Sequence, residues 1–123
     1  MAVQRLNNYL RTHRKHAGLS QSELSFLVRL RSKSVLSRYE RGENQPSLRT
    51  ALACQAAFGT PVSELFAGFS DSVAKDTRGQ MKRLRTQLQA KIDPNNTGNG
   101  VMQKFQWISN QLLKAPNFKL IAA

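Results

Sequence analysis

The segments RKHAGLSQSEL (residues 14–24) and VLSRYERG (residues 35–42) decide the fold of this chain. Gly18 predicts the end of a first helix, because glycine readily adopts the positive φ angle of a helix C-terminus. A second helix follows at once. Ser20 and Glu23 have the spacing of a capping box, in which each side chain accepts from the backbone N–H of the other. The sequence therefore predicts two short helices separated by a tight turn.

A third helix is predicted after the polar, basic stretch from Arg29 to Lys33. Leu24 and Leu27 give the second helix its apolar face, and Gly42 closes the third. The apolar side of the third helix is formed by Val35, Leu36 and Tyr39. Its other side is polar and cationic, with Lys33, Ser34, Ser37, Arg38 and Arg41. A short helix with one buried and one cationic side is therefore expected here.

This pattern resembles the helix-turn-helix of the lambda Cro and CI repressors, in the XRE-like family of transcription regulators. The resemblance runs from Leu6 to Phe66 and rests on four segments in order: GLSQSEL, LSRYERG, PSL and GTPVSELF. It implies an all-α fold, in which a five-helix Cro/CI-type domain at residues 1–69 precedes the rest of the chain. The remainder, residues 70–123, is expected to form a two-helix C-terminal hairpin.

The resemblance also implies a function, sequence-specific binding of double-stranded DNA with the third helix in the major groove. It places Lys33, Ser34 and Arg38 at base edges. Arg38 is the strongest candidate, because a guanidinium donates two hydrogen bonds to guanine, worth about 1–3 kcal/mol of discrimination. Backbone or mixed contacts are expected from Gln21, Arg31, Ser37, Arg41 and Arg11. We therefore expect a transcription regulator, most simply a repressor.

Two structural expectations accompany the resemblance. Family members pair an arginine of helix one with a glutamate of helix three, which places Arg14 opposite Glu40. They also have a glycine in the turn between helices two and three, whereas Arg29 to Ser32 contains none and is one residue longer. We expect a remodelled turn here, with helix two extended to Val28 or Leu30.

The remaining helices of this domain follow from the same start and stop signals. Helix one is predicted from Val3 to Ala17, and helix four from Ser47 to Gly59, with helix five after Pro61. The residues expected to face the core from helices one and five are Leu6, Leu10, Ala17, Val62, Leu65 and Phe66.

The composition favours a polyanionic partner. Nineteen Lys and Arg residues against seven Asp and Glu give a formal charge of +12 in 123 residues, a field that suits nucleic acid. An anionic membrane is the competing partner, but no run of about 18 apolar residues and no apolar signal-peptide core is present. We expect a cytoplasmic protein that does not bind membranes.

Catalytic and metal chemistry have little support. Cys54 lies among apolar residues of helix four and reads as a buried hydrophobe, and one cysteine cannot form an internal disulfide or a cysteine zinc site. His13 and His16 have a spacing that suits a metal, but no carboxylate or cysteine accompanies them. No Ser-His-Asp set and no glycine-rich phosphate loop is present, so no enzyme and no cofactor are expected.

The C-terminal region predicts two amphipathic helices. Ser70, Asp71 and Ser72 are expected to cap helix six, which runs to about Ile92, and a loop at residues 94–100 leads to helix seven. The two apolar stripes consist of Met81, Leu84, Leu88 and Ile92, and of Val101, Phe105, Ile108 and Leu112. The outer face of helix six is basic, with Lys75, Arg78, Lys82, Arg83, Arg85 and Lys91.

Neither of these helices can bury its stripe alone. They either pack back onto the first domain or pair with the same hairpin of a second subunit. We favour a homodimer, because regulators of this type read two half-sites related by a two-fold axis. The alternative is an antitoxin or adaptor, whose C-terminal helices and Trp107 hold a protein partner while DNA binding is secondary.

Overall fold

A computed structural model describes residues 8–95 and 100–114. Within these ranges the chain is all helical, which confirms the predicted fold class. The helices are α1 (Leu10–His16), α2 (Gln21–Leu27), α3 (Lys33–Glu40), α4 (Leu48–Phe58), α5 (Val62–Leu65), α6 (Ala67–Ala90) and α7 (Val101–Leu113). The chain divides into two compact units between Asp71 and Ser72, and each is described by itself.

One or two side chains from each short helix form the core of the first unit. Leu10, Leu24, Leu36 and Leu65 are fully buried, and Cys54 lies among them. Burial raises the pKa of the Cys54 thiol to about 11, so the thiol stays protonated at neutral pH and packs as a small hydrophobe.

Helices α1, α2 and α3 all end in the same backbone motif. After α1, Gly18 N–H donates to Lys15 O at 3.0 Å and Leu19 N–H donates to Arg14 O at 3.1 Å, the two bonds of a Schellman motif. The motif needs a left-handed residue, and Gly18 supplies it with φ +76. Gly42 does the same after α3, with φ +72.

Arg29 fills this left-handed position after α2, with φ +62. Its N–H donates to Phe26 O at 3.3 Å, and Leu30 N–H donates to Ser25 O at 2.8 Å. The predicted extension of α2 to Val28 or Leu30 is therefore wrong, since the helix ends at Leu27. The motif closes the turn with an arginine where a glycine is usual, and the half-buried Leu30 packs against the core behind it.

Replacing Arg29 with glycine is expected to raise the free energy of unfolding by about 0.5–1 kcal/mol. The left-handed conformation costs a residue with a side chain about 1–2 kcal/mol, and glycine avoids this cost. The larger conformational entropy of glycine in the unfolded state cancels part of this stabilisation. The midpoint of urea denaturation measures the change. Gly18→Ala is the matched control: a Cβ there meets nothing within 4 Å, so the variant should lose stability through its backbone alone. A lower midpoint for Arg29→Gly would contradict the assignment.

Three details of the first unit differ from expectation. Helix one begins at Leu10 rather than Val3, because Asn8 Oδ1 accepts from Leu10 N–H at 3.2 Å and Tyr9 N–H donates to Leu65 O at 2.8 Å. Residues 3–7, including Leu6, lie outside the described residues. Ala17 is exposed at the end of α1. Leu27 is 52% exposed, and Val28 at the end of α2 is buried in its place.

Helix α6 begins earlier than predicted. It starts at Ala67, two residues after α5 ends at Leu65, and Ser70 N–H donates to Phe66 O at 2.9 Å. The predicted cap at residues 70–72 is therefore wrong. Phe66 is buried and Phe69 packs partly against the core of the first unit, so apolar burial of the first turn starts the helix without a polar cap.

In the second unit, α6 and α7 are held together by two arginines of α6. Leu88 and Ile108 are its buried residues. Arg78 donates to the carbonyl oxygens of Leu112 at 2.9 Å and Lys114 at 3.2 Å, where a cation also offsets the negative end of the α7 dipole. Arg85 donates to Ser109 Oγ at 3.0 Å, and its guanidinium lies 5.3 Å from the centre of the Phe105 ring. Both guanidiniums thus contact α7 rather than form a free outer face.

Candidate nucleic-acid interface

The site is built on α3, whose two sides differ in burial. Leu36 is fully buried, and Val35 and Tyr39 are half-buried. The residues expected to contact DNA lie away from Leu36, within about 140° of arc at 100° per residue. Lys33, Ser34, Arg38 and Arg41 are exposed and Ser37 is half-buried. The helix therefore presents a continuous polar and cationic face.

The Arg38 side chain is exposed on this face. Within residues 8–95 and 100–114 its side chain makes no hydrogen bond or ion pair, while its carbonyl oxygen accepts from Glu43 N–H at 2.9 Å. The backbone of Arg38 is thus fixed by the end of the helix. Its five N–H donors are free for a ligand.

The opposite edge of α3 is clamped by a buried ion pair. Arg14 of α1 donates through Nε to Glu40 Oε2 at 2.6 Å and through Nη2 to Glu40 Oε1 at 3.2 Å. Arg14 Nη1 also donates to Leu19 O at 2.9 Å. The two side chains are only 10% and 3% exposed. A bidentate pair of this kind fixes both distance and orientation, so α1 sets the position of α3.

Gln21 belongs to this clamp. Its Nε2 donates to Glu40 Oε1 at 3.1 Å, so the first residue of α2 is tied to the last residue of α3. The amide expected to meet DNA is held in this structure by a protein carboxylate. The capping box at the start of α2 is present as well, since Ser20 and Glu23 bond reciprocally at 2.8 and 3.0 Å. These bonds from Ser20 lower the pKa of the Glu23 carboxyl.

The remaining predicted contacts differ in how free they are. Arg11 and Arg31 are exposed. Arg41 donates to Glu43 at 3.0 Å, with its side chain 53% exposed, so part of its charge is offset. The Ser34 hydroxyl lies 2.8 Å from the Ser32 hydroxyl, and Ser32 makes no cap bond to the first turn of α3.

Sequence reasoning did not predict the left-handed conformation of Arg29 in the turn before α3. Arg29 is exposed in the turn that leads to α3, and its left-handed backbone determines the path of the chain there. The signal was the apolar Leu30 directly after it, because an apolar residue commonly follows the left-handed position of a Schellman motif.

Helices α2 and α3 are short and joined by a tight turn, and the exposed face of α3 is cationic. The segment with this geometry also matches the model of a known family. The helix-turn-helix family model matches residues 10–65. Residues 10–65, just under half of the chain, are therefore similar to helix-turn-helix domains. No curated protein and no solved structure matches the chain. Helix-turn-helix domains of other proteins bind DNA, and α2 and α3 lie in the middle of the matched segment.

The described part of the chain contains neither a metal cluster nor a helix that could span a membrane. No group of three His, Cys, Asp or Glu side chains there has the geometry to hold a metal ion. His13 instead lies with its ring centre 5.8 Å from that of Phe58. None of the helices combines the length and the hydropathy that crossing a bilayer requires.

Proposed function

We propose that this chain is a sequence-specific transcriptional repressor that binds a two-fold symmetric operator as a homodimer, with α3 of each subunit in the major groove. The observation that carries the proposal is the Arg38 guanidinium, which is exposed and has no partner among residues 8–95 and 100–114, on a helix that Arg14 and Glu40 hold in place. An arginine in the groove reads guanine through two parallel hydrogen bonds.

The residues around Arg38 supply the rest of the interface. Lys33 and Ser34, in the first turn of α3, reach base edges beside it. Phosphates are contacted by residues that are cationic or polar and lie around α3: Arg11, Gln21, Arg31, Ser37 and Arg41. Gln21 exchanges its bond to Glu40 for one to phosphate or makes both, since an amide NH2 has two donors. Phosphate contacts position the domain, and base contacts give it sequence preference.

We assign dimerisation to the C-terminal hairpin, because several apolar side chains of its described residues are exposed. Leu84, Met102, Trp107 and Leu113 remain 44%, 39%, 56% and 84% exposed. A second copy of the hairpin would cover such residues and pair two DNA-reading heads. A dimer bound over a promoter excludes polymerase, which is the simplest route to repression.

Selection of bound duplexes from a random library, with the purified full chain at a fixed salt concentration, tests this proposal. The expected result is a motif with two inverted half-sites separated by about one helical turn. Sedimentation of the protein on the selected duplex should give two chains per site. A selection that yields no motif, or a single asymmetric half-site bound by one chain, would refute the operator model.

A second candidate function is that of an adaptor or antitoxin, whose hairpin binds another protein. Trp107 favours it, because an exposed tryptophan is a common anchor of protein interfaces. Trp107 is the one tryptophan of the chain, so its fluorescence distinguishes the two. Self-association that shifts its emission favours the dimer, whereas a monomer whose emission shifts only with a second polypeptide favours the adaptor.

A further inference from the structure

The second unit carries a large uncompensated charge. Its described residues, 72–95 and 100–114, contain eight cations and two carboxylates, Asp76 and Asp93. Among the described residues of this unit, no cation pairs with a carboxylate within 4.0 Å. Helices that are merely exposed to solvent usually intersperse the two signs at three- and four-residue spacing. This excess of positive charge favours binding of a polyanion.

The contacts of α6 separate its cations into two groups. Arg78 and Arg85 donate to α7, so they hold the hairpin together, but their acceptors are carbonyl and hydroxyl oxygens that carry no charge. Lys75, Lys82 and Arg83 are exposed on the outer side of the helix. Arg83 bonds only to the neighbouring Gln80, at 3.0 Å. This second group is available to a ligand.

Gly79 lies in the middle of these three residues and is exposed. Glycine is a poor choice inside a helix, and packing does not require it here, because a Cβ at this position meets nothing within 4 Å. The bare backbone forms the floor of a shallow, open groove of about 310 Å³, lined by Ser72, Lys75, Asp76, Gly79, Gln80 and Arg83. A groove flanked by cations lets an extended anionic strand approach the helix closely.

We propose that the outer face of α6, formed by Lys75, Lys82 and Arg83, is a second DNA-contacting surface that binds backbone phosphates and reads no bases. The proposal rests on DNA being the ligand of the helix-turn-helix domain, which brings a polyanion to the same chain. A second copy of this face is excluded as the occupant, because it would bring cations against cations. The two cations that line the groove, Lys75 and Arg83, outnumber its single carboxylate, Asp76, so its charge suits a phosphate.

The test uses the full chain with Lys75→Gln, Lys82→Gln and Arg83→Gln combined. A control variant of equal charge combines Lys91→Gln, Lys104→Gln and Lys114→Gln in the same unit. Kd is measured on the selected operator and on an unrelated duplex of equal length, between about 50 and 200 mM salt. The α6 variant should reduce the slope of log Kd against log salt by about 2–3 units, while the control changes it by less than about one unit.

The ratio of the two Kd values should stay unchanged in the α6 variant, because phosphate contacts carry no sequence preference. Equal slope losses in both variants would show that only the total charge of the protein matters, not the position of the cations, and would overturn the proposal. An unchanged slope would also overturn it, and so would a change of oligomeric state in place of the slope loss. If the combined variant is less helical by circular dichroism, Lys82→Gln alone should still reduce the slope of log Kd against log salt by about one unit.

The two proposals fail separately. If the unmodified chain shows no preference for any selected duplex, the operator model is lost, yet the slopes on an unrelated duplex still report on α6. If the preference is present and the slopes of all three proteins agree, only the α6 surface is lost.

Discussion

Replacing Arg14 with methionine is expected to lower the free energy of unfolding by about 3–5 kcal/mol. The substitution leaves the Glu40 carboxylate buried, at 3% exposure, with only the Gln21 amide as a partner. Methionine keeps most of the side-chain volume, so the loss reports the stranded charge rather than a cavity. Urea denaturation followed by circular dichroism measures it, and a domain of this size then has little stability left.

Arg41→Met is the matched control for Arg14→Met. It removes the same chemical group from an ion pair of similar length, Arg41 with Glu43 at 3.0 Å, but at a side chain 53% exposed. Its cost should stay within about 1 kcal/mol. The double variant Arg14→Met/Glu40→Leu should recover part of the loss, because both charges are gone. A double variant as unstable as the sum of the single ones would show that the pair is not coupled.

Replacing Arg38 with alanine is expected to relax the preference at one base position of each half-site by about 1–3 kcal/mol, or about 5- to 150-fold. Stability should barely change, because the guanidinium is exposed and has no partner in the described part of the chain. Repeating the library selection with the variant gives the effect directly, as one degenerate column in an otherwise preserved motif.

Arg31→Ala is the control for Arg38→Ala, since both remove an exposed guanidinium. Arg31 lies in the turn before α3, and its loss should weaken binding to all duplexes alike and reduce the salt slope by about one unit. Equal losses of operator and non-specific binding in Arg38→Ala would place Arg38 on a phosphate. In that case base reading would rest on Lys33 and Ser34.

Much of the first unit was predictable because its helix ends are determined by residues close together in the sequence. Several helix ends depend on residues at most five positions apart. Examples are the capping box of Ser20 and Glu23, the caps at Ser47 and Gly59, and Gly42 at the end of α3. The exposed face of α3 followed from the burial of Leu36, since helical periodicity fixes the far side of a helix once its near side is known.

The errors arose where tertiary contacts overrode the local signal. Asn8 and Tyr9 bond to Tyr39 and Leu65, which are far away in the sequence, so helix one starts later than its pattern indicates. Phe66 and Phe69 enter the core, so α6 starts before its apparent cap. Arg29 takes a glycine's conformation because the closing bonds and the burial of Leu30 offset its cost.

The sequence by itself determined the all-helical class, the helix-turn-helix resemblance and the excess of positive charge, but not every helix boundary. The tertiary structure alone decided which of the polar and charged groups remain free to bind. Gln21 and Glu40 are 19 positions apart, Arg14 and Glu40 are 26 apart, and Arg78 meets Lys114 across 36. A helix end depends on backbone bonds within a few residues, whereas the availability of a side chain depends on a distant partner that only folding brings near.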